Sequence, residues 1–235
     1  MKNKHNFLHA ATVFFLLTVT VALFSWIGSI YGVGKVQSLL SAEGIRWELK
    51  SILANFVQTP ALGIVMMLFL GFGITLHSGI CGTVARGIKK GKQISRKEKR
   101  AIILAGCVLV IYIIGIISTT FAPWTLLRSV TGSLINSPFQ KGIYYLISFG
   151  AGISGVVFGY ASGRFRDDKD IIKGMSHLFS RFADYFVVLF FIVQFFSSLM
   201  YTNLAEWLGI CSQTVCYAFH ICCYLPFLWM WNRKK

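Results

Sequence analysis

The chain has 235 residues, of which 55% are hydrophobic and 13% are charged. Soluble domains average about 25% charged residues, so this composition excludes an ordinary soluble domain. The net charge of +15 would suggest nucleic-acid binding in a soluble protein, but the mean hydropathy is +0.66. In a membrane protein, basic residues report topology. We therefore expect a membrane protein whose partner is the lipid bilayer, with no nucleic-acid partner.

Six apolar runs are long enough to cross the hydrocarbon core, which takes about 20 residues. They cover residues 7–28, 57–76, 101–122, 142–163, 182–203 and 207–231. The expected fold class is all-α, a polytopic single membrane domain over residues 1–235 with about six transmembrane helices. Between the first two runs, residues 34–56 mix apolar and charged residues at helical spacing, which predicts an amphipathic lead-in to the second span.

The basic residues predict the orientation of these spans. With a cytoplasmic N-terminus, 18 of the 23 Lys and Arg fall on the cytoplasmic side and 5 on the other. This split follows the positive-inside rule for six spans with both termini cytoplasmic. The six tryptophans agree, because each lies at or beside the end of a run, where an amphipathic ring prefers the interface. We expect a multi-pass protein of a cell inner (plasma) membrane.

The cysteines give no sign of a metal site. All six lie in or beside apolar runs, without a CxxC pair or a histidine spacing suited to zinc. The sequence therefore predicts no metal site and no cofactor.

Small residues recur every four positions in the fourth run. Ala151, Gly155, Gly159 and Gly163 would form one stripe on a helix face, which lets a neighbouring helix approach closely. The stripe is the clearest packing signal in the chain.

Three polar residues of the fifth run are candidates for function. Asp184 lies about one turn inside the run, where an ionisable group is a candidate for ion or proton binding. The alternative is that it pairs with Arg181, three residues earlier, or reaches the interface. Gln194 and Asn203 could each line a pathway or bridge two helices.

One pattern resembles an enzyme, the rhomboid intramembrane serine protease, which also has six spans. Ser154, within Gly-Ile-Ser-Gly, and His220 would be its serine and histidine. Three observations oppose this hypothesis. His220 lacks the glycines that follow the rhomboid histidine, Ser154 lies about 18 Å into its span, and the stripe already accounts for Gly155. We expect no catalytic residues and no enzyme.

Several segments of the chain, in order, resemble the bacterial p-aminobenzoyl-glutamate transporter (AbgT) family. The segments that carry the resemblance are residues 25–28, 36–47, 55–56, 60–63, 70–73, 78–79, 155–159, 168–175, 190–191, 194–195 and 202–204. The resemblance implies secondary transport of p-aminobenzoyl-glutamate or a related aromatic anion, coupled to an ion gradient, through a homodimer. Gln194 and Asn203 match family positions and are therefore the candidate substrate-binding residues.

The chain also departs from the family pattern. Residues 1–92 resemble the N-terminal spans of the family, residues 93–208 resemble a later segment, and residues 209–235 form a divergent tail. Both re-entrant hairpins, which supply most of the family's substrate site, are absent. The resemblance therefore implies a shortened transporter with impaired or no autonomous transport. The alternative is a non-transporting remnant, or an interaction subunit that pairs with a full-length family relative.

Overall fold

The computed structural model of the chain describes residues 9–88, 94–121, 127–129 and 132–233. Within these residues, every regular element is an α-helix. In chain order the helices are α1 (Ala10–Ile30), α2 (Ala42–Val57), α3 (Pro60–Ser78), α4 (Ile80–Ile88), α5 (Arg96–Phe121), α6 (Pro138–Ser162), α7 (Asp168–Arg181), α8 (Ala183–Tyr201), α9 (Leu204–Trp207) and α10 (Ser212–Arg233). The all-α prediction is confirmed.

In the described part of the chain, five helical stretches are long and apolar enough to cross a membrane. They are Ala10–Ile30, Ala42–Ser78, Arg96–Phe121, Pro138–Ser162 and Ala183–Tyr201. They correspond to the first five predicted spans. Phe7 in the first span and Ala122 in the third lie outside the described residues. The predicted lead-in is the helix α2, which is followed at Pro60 by α3.

The sixth predicted span, residues 207–231, covers parts of two helices. There the chain forms the end of α9, an interruption at residues 208–211, and then α10. α10 has 22 residues, and the side chains at positions 228, 229 and 231–233 lie outside the described part of the chain, so the sixth span stays a prediction. Pro226 also lies inside α10, where it removes a backbone hydrogen bond.

The chain folds as two compact units. The first unit combines the residues up to Gly63 with the residues from Phe182 onward, and the second comprises Ile64–Arg181. The boundaries at residues 92 and 208, which rest on the family resemblance, stay a prediction.

In the first unit, α8 is the central helix and packs against α1, α2 and α10. Its buried side chains include Tyr185, Leu189 and Ile192. Aromatic rings join it to its neighbours, with centroids 5.8 Å apart for Phe14–Phe195 and for Phe15–Phe191, 5.4 Å for Phe56–Phe190 and 4.2 Å for the stacked Trp47–Tyr201. The phenylalanine-rich sequence of α8 thus supplies the core of this unit.

In the second unit, α3 and α6 lie in close backbone contact. The hydroxyl of Ser148 on α6 accepts a hydrogen bond from the Gly71 N–H at 3.1 Å and donates to the Met67 carbonyl. The Thr75 hydroxyl on α3 donates to the Ala151 carbonyl at 2.8 Å. A Cβ added at Gly155 would lie 2.9 Å from the Cα of Thr75. Small residues therefore allow hydroxyls to join two helix backbones directly.

The members of the small-residue stripe have different surroundings. Ala151 and Gly155 contact α3, whereas a Cβ at Gly159 would meet the ring of Phe165. Gly163 is the C-cap of α6, with a left-handed φ of 77° that glycine adopts without strain. The first half of the stripe is thus covered by a helix of the same chain.

The charge split predicts opposite accessibility at the two ends of α6. In a chain whose own cysteines are replaced by alanine, we expect Ser133→Cys to react with an impermeant thiol reagent from the periplasm, whereas Lys169→Cys should react only after permeabilisation. Both positions are exposed. Labelling of intact cells measures this directly, and periplasmic reactivity at position 169 would contradict the orientation.

Candidate functional site

Gln194 joins two helices of the first unit. It lies in α8 and is 5% exposed. Its Nε2 donates a hydrogen bond of 2.9 Å to the carbonyl oxygen of Ile52 in α2. A polar side chain inside a membrane needs such a partner, because the hydrocarbon core contains no water to form a hydrogen bond with it. Of the two roles considered for Gln194, helix bridging is the one with a visible contact.

Asn203 lies at the break between α8 and α9. It adopts a left-handed conformation with φ 55° and is the N-cap of α9. Its Nδ2 donates to the carbonyl oxygen of Lys35 at 3.3 Å, and the N–H of Gln37 donates to the carbonyl oxygen of Thr202 at 3.1 Å. Asparagine tolerates this backbone better than most residues. The segment after α1 is thereby attached to the end of α8.

Asp184 lies in the first turn of α8 and is exposed. A carboxylate is favoured there by the free N–H groups and the positive end of the helix dipole. The helix α7 ends at Arg181 and α8 begins at Ala183, so Arg181 and Asp184 do not lie on one helix. The three-residue spacing that predicted a shared helix face therefore does not apply.

The two candidate substrate-binding residues do not converge on a cavity. Gln194 and Asn203 are nine residues apart, and they contact different segments. A cavity of about 550 Å³ in the first unit lies between α1 and the end of α8, with walls that include Phe24, Ile27 and Phe195. Neither amide lines it. The cavity is apolar, so it offers no evident group for an anionic substrate.

An ionic cluster in the second unit was not singled out by the sequence. The guanidinium of Arg164 donates to the Ser78 carbonyl at 2.8 Å and to the Glu98 carboxylate at 3.2 Å. Arg86 also reaches Glu98 at 3.2 Å. Arg164 lies over the ring of Phe158, 5.7 Å from its centroid. The chain spacing of 66 residues between Arg164 and Glu98 carries no local signal, which is why sequence patterns missed the pair.

His77 of α3 and His177 of α7 lie close together. Their ring centroids are 5.5 Å apart, and a Cβ at Gly73 would lie 2.6 Å from the Gly174 carbonyl oxygen. Burial, together with the neighbouring His77 and Arg181, lowers the pKa of His177. The close glycine contact brings these side chains together. No group of three or more metal-binding side chains occurs among the described residues.

The two residues of the protease hypothesis each have local surroundings that the structure describes. Ser154 lies in the second unit, where its hydroxyl donates to the Ala151 carbonyl at 2.8 Å. His220 lies in α10 of the first unit and is exposed, with its ring 5.7 Å from that of Phe219. The hydroxyl of Ser154 thus stabilises its own helix, as serines in membrane helices commonly do.

Comparison with known proteins identifies the family. The model of the AbgT putative transporter family matches residues 85–228, which is more than half of the chain. The chain belongs to the AbgT putative transporter family. This confirms the resemblance found in the sequence, and it makes the chain a multi-pass membrane protein of that family. No curated protein matches the chain.

Two solved structures of AbgT-family transporters share the fold. The Alcanivorax borkumensis YdaH transporter, a structure with an unusual topology, aligns with a TM-score of 0.75 and 17% identity, over 86% of this chain and 74% of that one. Neisseria gonorrhoeae MtrF, which represents a class of antimetabolite efflux pumps, aligns with a TM-score of 0.74 and 16% identity, over 86% of this chain and 71% of that one. At these identities the likeness extends to the fold alone.

Proposed function

We propose that this AbgT-family protein serves the movement of p-aminobenzoyl-glutamate or a related aromatic anion across a bacterial inner membrane, and that one chain does not transport it alone. The full activity would need a full-length relative of the family. Family membership supports the substrate class, and MtrF, an antimetabolite efflux pump, supports export as the direction.

The observation that carries this proposal is that the side-chain amides of both candidate residues already donate hydrogen bonds to the backbone of the same chain. Gln194 donates to the backbone at Ile52, and Asn203 donates to the backbone at Lys35. An aromatic dicarboxylate must exchange its hydration for fixed donors, and the best donors in a membrane are broken-helix termini and buried basic side chains. Each amide NH₂ has two N–H donors, and one donor of each is committed to a contact between chain segments.

The apolar parts of the spanning helices contain no basic side chain that could bind the carboxylates of the substrate in place of the two amides. Residues 10–30, 60–78, 101–121, 142–162 and 183–201 contain no Lys or Arg. Two further cavities, both in the second unit, have volumes of about 330 and 450 Å³, and neither has a basic residue in its walls. Apolar walls can hold an aromatic ring, but they leave two carboxylates without partners.

A non-transporting interaction subunit is the second candidate. It is favoured by the same engaged amides, because a subunit needs no substrate site of its own. A partner would have to use a surface other than the first half of the α6 stripe, which is covered by α3. Asp184 stays a candidate for ion or proton binding by virtue of its carboxylate at the start of α8.

Uptake by proteoliposomes tests the proposal. We expect no saturable uptake of radiolabelled p-aminobenzoyl-glutamate by the purified chain alone, under either a proton or a sodium gradient. Co-reconstitution with a full-length AbgT relative should raise uptake above that of the relative alone if the chain contributes to transport. An unchanged rate, with the two proteins still co-purifying, would instead favour the interaction subunit. Saturable uptake by the chain alone would contradict the proposal.

A further inference from the structure

An apolar groove runs along α3 and α6 in the second unit. Its volume is about 330 Å³. Gly71 and Gly152 belong to its walls, with a Cβ at Gly152 only 3.5 Å from the Gly71 Cα, so bare backbone forms part of the groove. The rim is exposed, at 44% for Met67, 52% for Tyr145 and 47% for Phe149. Because these helices span the membrane, the groove opens toward lipid chains.

A basic patch lies in the same unit, on the end of α4, the start of α5 and the residues just after α6. We define it as Arg86, Arg96, Lys97, Lys99, Arg100 and Arg164, together with the single acid Glu98. Arg86 and Arg164 share the Glu98 carboxylate, each at 3.2 Å. The Nζ of Lys97 lies 2.8 Å from where a Cβ at Gly163 would be. One carboxylate shared by two guanidiniums leaves the patch with a net charge of +5.

Contacts through Phe158 connect the groove to the basic patch. Val157 lines the groove and packs against the buried cluster of Ala101, Ala105 and Phe158. The Arg164 guanidinium covers the Phe158 ring at 5.7 Å. From Val157 to Gly163 the helix rises about 9 Å. The apolar and the cationic surfaces are therefore neighbours on one unit.

The sequence places the patch at the membrane surface. The basic start of α5 ends at Arg100, and the next 21 residues carry no charge. A phospholipid has its phosphate at this depth and its acyl chains below. The groove walls extend from Tyr145 to Val157, about 18 Å along α6, which suits the length of one acyl chain.

We propose that this surface binds one anionic phospholipid, with an acyl chain in the groove and the phosphate on the basic patch. The net positive charge favours a lipid with net negative charge over a zwitterionic one with the same chains. The groove favours a whole lipid over a free phosphate ester. The proposal is independent of transport, because it concerns only the surfaces of α3 to α6 in the second unit.

Lipid titration of the purified chain in detergent tests this inference. The probes are phosphatidylglycerol, phosphatidylcholine with identical acyl chains, and glycerol phosphate, and the measured quantity is the unfolding temperature as a function of probe concentration. We expect phosphatidylglycerol to bind at least tenfold more tightly than phosphatidylcholine, and glycerol phosphate to cause no shift. Equal effects of the two lipids, or a shift by glycerol phosphate alone, would overturn the proposal.

Variants locate the binding surface. Lys99→Gln with Arg100→Gln should weaken the phosphatidylglycerol effect about thirtyfold, since each cation near an anionic lipid contributes about 1 kcal/mol. Arg46→Gln with Lys50→Gln, an equal charge change on exposed residues of α2, should leave it unchanged. Ile153→Trp should fill the groove and abolish the preference, whereas Ile114→Trp, on the exposed face of α5, should not. If the Lys99/Arg100 variant or the Ile153 variant kept the full phosphatidylglycerol effect on the unfolding temperature, the assigned surface would be wrong.

Discussion

Gly155→Leu is expected to prevent stable folding of the second unit. A Cβ at this position would lie 2.9 Å from both the N and the Cα of Thr75, so a leucine would meet a helix backbone that cannot rotate away. Separating α3 from α6 would also break the hydrogen bonds of Thr75 and Ser148. Overpacking of this kind costs about 3 kcal/mol or more.

The control for this variant is Gly106→Leu on α5. Gly106 is exposed, and a Cβ there has no atom within 4 Å. The residue type and the change in volume are the same, but the leucine would face lipid. We expect the Gly106 variant to match the wild type in detergent-solubilised yield, elution profile and unfolding temperature, while the Gly155 variant aggregates. Equal behaviour of the two would show that α3 and α6 do not pack as described.

Arg164→Ala is expected to produce the next largest loss of stability. Arg164 donates to the carbonyl of Ser78, shares Glu98 with Arg86 and covers Phe158. Its guanidinium also lies against Gly79, whose left-handed φ of 76° ends α3. Removing a charged donor from these partners costs about 2 kcal/mol. Because the arginine is partly exposed, we expect the loss to be smaller at high salt.

Arg166→Ala provides the matched control. Arg166 is exposed and lies two residues further along the same connection, so the same charge is removed without the Arg164 contacts. The unfolding temperatures of both variants, measured at low and at high salt, distinguish loss of the Arg164 contacts from loss of net charge. If the Arg166 variant lost as much stability as the Arg164 variant, net charge rather than the Glu98 cluster would be responsible.

The helices of this protein were largely predictable, because hydrophobic runs of about 20 residues have few alternatives in a bilayer. The small-residue stripe was also visible, since Ala151 and Gly155 repeat at helical spacing. The sequence could not tell which helix covers them. The choice of α3 depends on Gly71 and Ser148, which lie 77 residues apart and form a contact only after folding.

The candidate site was harder to predict than the fold. Gln194 and Asn203 were found because amides are rare in apolar runs, but their acceptors at Ile52 and Lys35 are backbone atoms, which leave no trace in the sequence. The premise that Arg181 and Asp184 share one helix was wrong, because the chain leaves the helix at Phe182, with φ −118°. No proline or glycine marks that break.

Equilibrium binding of radiolabelled p-aminobenzoyl-glutamate to the purified chain tests the central claim most directly. The proposal is that Gln194 and Asn203 serve the fold of a single chain, and that the described residues of one chain form no aromatic-anion site. We predict no saturable binding for the wild type up to millimolar ligand, together with a lower unfolding temperature for Gln194→Leu and for Asn203→Ala. Saturable binding by the wild type that Asn203→Ala abolishes, with its unfolding temperature unchanged, would contradict the account.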